Sequence, residues 1–168
     1  FAGIDIDLFC HGAERLKKTL LEEELKDNDL LKCAFYLKNL KDLKSVNQTV
    51  FMPYSSKLKL LSSWFVQLWA ESLGKKDSFS KKNVYEGMTP IYAYGATDQH
   101  SQLQLFMEGP RDKCILFVEV KSCQHDFKLK SPFEKGPFAK LNSHSLSGLL
   151  NAEFRGTLRG LEEEGRPY

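Results

Sequence analysis

The stretch KLKLLSSWFVQLWAESLGK, residues 57–75, predicts one long helix that carries apolar side chains on nearly every side. A helix of this kind is typical of a protein core. Ser63, Gln67 and Glu71 recur at intervals of four residues, so they form one narrow polar stripe along the predicted helix. A carboxylate that faces an apolar interior loses hydration, which is costly unless a polar group meets it. The stripe therefore predicts a cleft for a polar ligand, and the alternative is an ordinary helical ion pair between Glu71 and Lys75.

The overall composition is that of an ordinary globular protein. The chain has 168 residues, of which 42% are hydrophobic, and this is enough for one domain with a sizeable core, which we expect over residues 1–168. The 24 basic and 22 acidic residues are interspersed and the net charge is +2, so we expect neither nucleic acid nor a membrane as a partner. No apolar run reaches the roughly 18 residues of a membrane span, and no signal peptide opens the sequence. We therefore expect a cytoplasmic protein.

The possible metal ligands do not form a metal motif. The four cysteines are spread along the chain: Cys10, Cys33, Cys114 and Cys123. The four histidines are equally scattered: His11, His100, His125 and His144. Neither set has CxxC, HExxH or HxH spacing, so we expect no metal site, and we expect the cysteines to be reduced and mostly buried.

Apolar residues at helical spacing predict four further helices. They cover residues 4–20, about 28–40, 97–107 and 145–161. The predicted N-caps are Asp5 or Asp7, Asn28 or Asp29, Thr97 or Asp98, and Ser145 or Ser147. The third helix places Gln99 and His100 in its first turn, where unpaired N–H groups favour an anionic or hydroxyl-rich ligand. The alternative is that His100 simply occupies the surface at a helix start.

Three short β-prone runs alternate with these helices. They lie at residues 49–52, 91–94 and 114–120, and the last is apolar enough for a strand buried on both faces. Residues 77–83 and 121–142 are predicted to be loops. The alternation predicts an α/β fold of three layers with a mostly parallel sheet, in which ligands bind beyond the carboxyl ends of the strands. Because both polar segments follow strands, we expect Glu71 and His100 at the same edge of the sheet.

Both ends of the sequence suggest a piece of a longer protein. The chain begins at Phe1 without an initiator Met, and it stops at Tyr168 directly after a predicted helix. We therefore expect the sheet to be incomplete in these residues.

Two motif blocks resemble the phosphoglucose isomerase family. QLWAESLGK, residues 67–75, looks like the family segment in which a glutamine and a glutamate four residues apart precede Ser-x-Gly-Lys. GATDQHSQLQLFMEG, residues 95–109, is similar to the family's Gln-His helix start as seen in many bacterial members. Residues 1–13, 52–54 and 151–167 also fit, so the resemblance covers essentially the whole chain and points to the C-terminal part of the family's sequence.

The resemblance implies a sugar isomerase (SIS) domain that interconverts glucose 6-phosphate and fructose 6-phosphate without a metal or redox cofactor. Glu71 matches the family's base, which carries a proton between C1 and C2 through a cis-enediol. His100 matches the residue that helps to open the pyranose ring, and in the family it reaches the active site of the neighbouring subunit. Gln67 matches a glutamine that contacts the substrate. The resemblance also implies a homodimer for a full-length parent.

Several parts of the family's site have no counterpart in this chain. They are the serine and threonine loop that binds phosphate, the arginine of a Gly-Gly-Arg segment and the C-terminal catalytic lysine. We therefore expect the isolated 168 residues to be inactive. The alternative from another class is a non-catalytic module that binds sugar phosphates. The presence of both Glu71 and His100 favours the enzyme, because a binding module needs no acid–base pair on two separate elements.

Overall fold

The computed structural model describes residues 3–24, 26–123 and 125–168. The chain forms two compact units, Phe1–Lys44 and Ser45–Tyr168, which are described in turn.

The first unit consists of two helices, α1 (Ile6–Glu22) and α2 (Asp29–Lys44). The Asp5 carboxylate caps α1, as predicted, by accepting a hydrogen bond from the third residue beyond it. Asn28 is fully buried between the two helices. Its Nδ2 donates to the Thr19 carbonyl at 3.1 Å, and its Oδ1 accepts from the Leu31 N–H at 3.1 Å. Asn28 therefore caps α2, as predicted, and joins that cap to the last turns of α1.

The second unit alternates strands and helices. In chain order its described elements are β1 (Gln48–Pro53), α3 (Lys59–Leu73), β2 (Lys75–Asp77), β3 (Asn83–Glu86), β4 (Thr89–Tyr92), α4 (Leu103–Glu108), β5 (Lys113–Val118) and α5 (Leu146–Glu163). Short 3-10 helices cover Ser56–Leu58, Thr97–Gln99 and Pro137–Ser143. The Ser145 hydroxyl caps α5 by accepting from the Gly148 N–H at 3.1 Å, which confirms one of the two caps predicted there.

Three strands form a small parallel sheet in the order β4–β1–β5. Val50 of the central strand lies opposite Ile91 on one side and Ile115 on the other. The three predicted strands and their parallel arrangement are confirmed, with boundaries that differ by up to two residues. Strand β4 starts earlier than predicted and includes Pro90, which is tolerated because β4 is an edge strand.

Helices pack on both faces of this sheet. Alternate side chains of β1 and the residue after it face α4 and α5 in the main core, which contains Val50, Met52, Tyr54, Ala93, Phe106, Ile115, Phe154 and Leu161. On the opposite face, Phe51 of β1 stacks on Phe65 of α3 with ring centroids 4.6 Å apart. The second unit is therefore an α/β structure around a parallel sheet.

The prediction that the central helix is buried on nearly every side is wrong. In α3 only Ser62 is buried, and Leu60 and Trp64 are 82% and 56% exposed. The helix has the sheet on one side, where Phe65 and Trp69 pack against each other with centroids 5.0 Å apart. No described residue covers its outer side, so the apolar side chains there face outward.

Two loop predictions are confirmed only in part. Of the predicted loop 77–83, residues 78–82 connect the strands of an antiparallel hairpin in which Lys75 of β2 pairs with Glu86 of β3, and these two strands were not predicted. All residues of both strands are exposed, so neither strand needs an apolar face. Their sequences, KKD and NVYE, therefore lack the alternation of apolar and polar residues that predicts a strand. The predicted loop 121–142 contains most of the 3-10 helix Pro137–Ser143, and Lys128 forms an isolated bridge with Ser145.

The four cysteines form no disulfide among the described residues, but the expectation that most are buried is wrong. Only Cys114, in β5, is buried, whereas the other three are exposed. Cys10 and Cys33 lie on helices whose described surfaces are largely uncovered, which explains their exposure. None of the described helices combines the length and the apolar character needed to cross a membrane.

Candidate functional site

Gln67 and Glu71 lie on the same face of α3, as their spacing predicts. The Gln67 Nε2 donates to the Glu71 Oε1 at 3.2 Å, and both side chains are exposed. Ser63, the third member of the predicted stripe, is exposed as well. The alternative prediction was an ion pair between Glu71 and Lys75, and no such pair occurs among the described residues. The partner of the Glu71 carboxylate is instead the amide of Gln67. The stripe is an accessible carboxylate oriented by a neighbouring amide, and the expected low-hydration environment is absent from the described structure.

His100 does not lie in the first turn of a single long helix. It follows the 3-10 helix Thr97–Gln99, and α4 begins only at Leu103. The Asp98 carboxylate turns back, accepting from the Tyr94 N–H at 2.8 Å and from the Ser101 hydroxyl at 2.8 Å. Because the Asp98 carboxylate bonds to residues of its own turn, it does not cap α4. The predicted helix 97–107 is instead divided into the 3-10 helix Thr97–Gln99 and α4.

The path of α3 separates Glu71 from His100. At one end of the helix the Tyr94 hydroxyl donates to the Lys59 carbonyl at 3.2 Å, and at the other end the Trp69 Nε1 donates to the Met88 carbonyl at 3.0 Å. Tyr94 follows β4 and Met88 precedes it, so α3 runs antiparallel to β4.

This orientation places the two predicted catalytic residues at opposite edges. Glu71 lies about 18 Å along the helix axis from Lys59, toward the amino ends of the strands. His100 follows the carboxyl end of β4. The prediction that both residues share one edge is wrong, because a helix that connects two parallel strands must carry the chain back across the sheet.

A buried polar cluster lies at the carboxyl edge, and the sequence did not reveal it. Tyr54 directly follows β1, Thr157 lies on α5, and Gln99 precedes His100. The Tyr54 hydroxyl donates to the Thr157 Oγ1 at 2.9 Å, and the Gln99 Nε2 lies 2.6 Å from each of these two oxygens. The available signal was Thr157 itself, a polar residue on the apolar face of a predicted helix between Phe154 and Leu161.

The electrostatics of this cluster keep the phenol protonated. Tyr54 is 1% exposed, and its burial raises the pKa of its hydroxyl, although the hydrogen bonds with Thr157 and Gln99 act in the opposite direction. The Thr157 hydroxyl in turn donates to the Glu153 carbonyl at 3.0 Å. Each hydroxyl proton in the cluster therefore has an acceptor.

Other parts of the described surface do not add to the predicted site. An open depression of ≈ 640 Å³ lies on the first unit and is lined by Lys26, Lys32, Phe35, Tyr36 and Asn39. None of the predicted site residues lines it. Within the described ranges, no group of three or more His, Cys, Asp or Glu side chains is arranged to hold a metal ion.

The chain is similar to curated glucose-6-phosphate isomerases. It is 40% identical over 168 residues to the "Glucose-6-phosphate isomerase" of Rubrobacter xylanophilus, a match that covers 99% of this chain and 37% of the relative. It is 35% identical over 167 residues to the protein of the same name from Carboxydothermus hydrogenoformans, covering 98% of this chain and 36% of the relative. No family model matches the chain. The chain thus spans a little over a third of the length of these relatives.

Solved structures share its fold. A hypothetical protein from Thermus thermophilus superposes with a TM-score of 0.87 at 37% identity, covering 99% of this chain and 39% of that one. A glucose-6-phosphate isomerase from Chlamydia trachomatis has a TM-score of 0.71 at 23% identity, covering 87% and 27%, and shows the fold alone. The fold is therefore an α/β structure with a small parallel sheet, similar to part of an isomerase of this kind. With its curated relatives taken into account, the chain belongs to the glucose-6-phosphate isomerase family.

Proposed function

We propose that the gene product containing this chain interconverts glucose 6-phosphate and fructose 6-phosphate through a cis-enediol. The observation that carries the proposal is the Gln67–Glu71 pair, hydrogen-bonded at 3.2 Å on an accessible helix face in a chain 40% identical to an isomerase. Glu71 is the base that moves the proton between C1 and C2, and Gln67 orients its carboxylate and contacts the substrate. His100 assists ring opening. The sheet and its two helical layers are the SIS-type domain that carries these residues.

The positions of Glu71 and His100 favour a site shared between two copies. Within one chain Glu71 lies toward the amino edge of the sheet and His100 follows its carboxyl edge. A homodimer in which His100 of each copy reaches the Glu71 of the other supplies both groups to one substrate. This arrangement agrees with the family resemblance, which implies that the histidine reaches the active site of the neighbouring subunit.

The test of the proposed base is Glu71→Gln in the native gene product that contains the chain. The substitution keeps the shape of the side chain but removes the basic oxygen, so isomerisation should fall by far more than tenfold while sugar-phosphate binding is largely retained. Glu163→Gln is a matched control, because Glu163 is also an exposed helical glutamate with a partner four residues earlier. A loss below about tenfold, roughly 1.4 kcal/mol of barrier, would reject Glu71 as the base.

The 168 residues alone should bind sugar phosphate weakly and show no measurable turnover. Fixed donors around a phosphate supply much of the binding energy that also orients the reacting carbons, and this chain lacks the family's phosphate loop, arginine and lysine. A coupled fructose 6-phosphate assay beside calorimetric titration measures both properties. Robust turnover would show that these residues hold a complete catalytic set. Tight binding without turnover by the whole gene product would favour the non-catalytic binding module.

A further inference from the structure

The residue that precedes His100 is held by three acceptors at once. The Gln99 Nε2 lies 2.6 Å from the Tyr54 hydroxyl oxygen, 2.6 Å from the Thr157 Oγ1 and 3.4 Å from the Glu153 carbonyl. An amide nitrogen has two hydrogens, and both can be donated here at short range. Gln99 therefore connects its turn to the residue after β1 through Tyr54, and to α5 through Thr157.

These anchoring groups are themselves fixed. Tyr54 and Thr157 are 1% and 6% exposed, and each hydroxyl donates onward, the phenol to Thr157 and Thr157 to the Glu153 carbonyl. The ring of Tyr54 packs against Phe154, with centroids 5.0 Å apart. Buried groups with satisfied hydrogen bonds have few alternative positions, so they form a rigid support.

Tyr54 also supports the same turn at a second point. A side chain at Gly95 would overlap the ring of Tyr54, so the backbone there lies directly on the ring. The Gly95 N–H donates to the Pro53 carbonyl at 3.1 Å. The turn that leads to His100 is thus held by the Tyr54 ring at Gly95 and by the Tyr54 hydroxyl at Gln99.

Among the described residues, His100 is by contrast fixed through its backbone alone. Its N–H donates to the Thr97 carbonyl at 3.3 Å, and its side chain is exposed. In the part of the chain that the structure describes, no hydrogen bond holds its imidazole. The position of the His100 backbone, and with it the position of the imidazole, therefore depends on the contacts of the neighbouring residue, Gln99.

We propose that Gln99 is a positioning residue, which holds the backbone of His100 so that the imidazole reaches the ring oxygen of a cyclic sugar phosphate. The inference rests on the function proposed above, and it concerns ring opening alone. Misplacement of a catalytic group by about 1 Å can lower a rate by two orders of magnitude. Loss of the Gln99 contacts should therefore impair the step that uses His100 and spare the proton transfer at Glu71.

The test compares Gln99→Met with Gln102→Met in the native gene product. Gln102 is a matched control in the same segment, since it is half-buried and its side-chain amide, in the described structure, donates to a single acceptor, the Tyr92 carbonyl at 3.4 Å. One substrate is glucose 6-phosphate, whose pyranose ring must be opened before proton transfer. The other is a tetrose 4-phosphate, whose phosphate blocks the hydroxyl that would close a ring. Proton exchange with D₂O at C2 is followed for both substrates.

Gln99→Met should lower kcat on glucose 6-phosphate by about 10- to 100-fold with little change in KM, and leave exchange on the tetrose phosphate within about twofold. Gln102→Met should change neither. Equal losses on both substrates, or no loss on either, would overturn the positioning role. Should Gln99→Met fail to fold, Tyr54→Phe removes one of the two close acceptors of Gln99 while keeping the ring. It should likewise lower the rate on glucose 6-phosphate more than exchange on the tetrose phosphate, and equal effects on both would overturn the positioning role. A wild-type gene product without isomerase activity would refute the proposed function instead, and that measurement comes first.

Discussion

Replacing Thr157 by valine removes the central atom of the buried polar cluster without changing the shape of the side chain. The Oγ1 of Thr157 accepts from the Tyr54 hydroxyl and from Gln99, and it donates to the Glu153 carbonyl. The valine leaves the 1% exposed Tyr54 without an acceptor for its proton. A buried donor left unsatisfied costs about 1–3 kcal/mol, so Thr157→Val should lower the free energy of unfolding by about 2 kcal/mol.

Tyr54→Phe gives a different result because it removes the donor rather than its acceptor. It removes the bond that the phenol donates to Thr157 and the one that it accepts from Gln99, but the Gln99 amide keeps Thr157 as an acceptor, so the net loss should be about 1 kcal/mol. In the double variant no buried phenol is left unsatisfied, so the total loss should be about 2 kcal/mol instead of the additive sum of about 3. Thr157→Ser, which keeps the hydroxyl, should recover most of the polar contribution.

Urea unfolding of the chain, followed by tryptophan fluorescence, measures these four free energies from midpoints at a common slope. The expected coupling between the two sites is about 1 kcal/mol. Additive losses within about 0.5 kcal/mol would refute the hydrogen-bonded cluster, as would a Thr157→Ser variant no more stable than Thr157→Val.

Three further predictions address other parts of the chain. Asn28→Ala should destabilise the first unit by about 1–3 kcal/mol because a buried amide loses two hydrogen bonds. Asn39→Ala, which removes a solvent-exposed hydrogen bond from a half-buried residue, should change it by less than about 0.5 kcal/mol. Amide hydrogen exchange in α1 and α2 measures both, and equal protection in the two variants would contradict this role. Hydrogen bonds from Ser147 hold the pKa of Asp126 below its ordinary value of 3.8, so the stabilisation by Asp126 is present above that pH and lost as pH falls through the folded-state pKa. Asp126→Asn should therefore flatten the acid side of the pH–stability curve, and an unchanged curve would count against it. His100→Ala should slow turnover of cyclic substrate much more than exchange on an open-chain substrate, and parallel losses would reject its assignment to ring opening.

Much of the local structure and the family followed from the sequence. Helical and alternating spacing predicted the sheet strands β1, β4 and β5, and Asp5, Asn28 and Ser145 are caps where the capping pattern predicted them. These features depend on hydrogen bonds and side-chain spacing within a few residues, so a short window of sequence contains the information. The same is true of the blocks at residues 67–75 and 95–109, which led to the family that the relatives confirm.

Only the tertiary structure decided where the candidate site residues lie. The spacing of Gln67 and Glu71 predicted a shared helix face, but the return of α3 across the sheet placed that face away from His100. The bonds that join Tyr54 to Gln99 and Thr157 span 45 and 103 positions in the chain. Such contacts depend on strand order and helix direction, which arise when the whole chain packs. Exposure depends on the same packing, because a side chain is buried only when another layer covers it, and α3 has its one described layer on the side of Phe65.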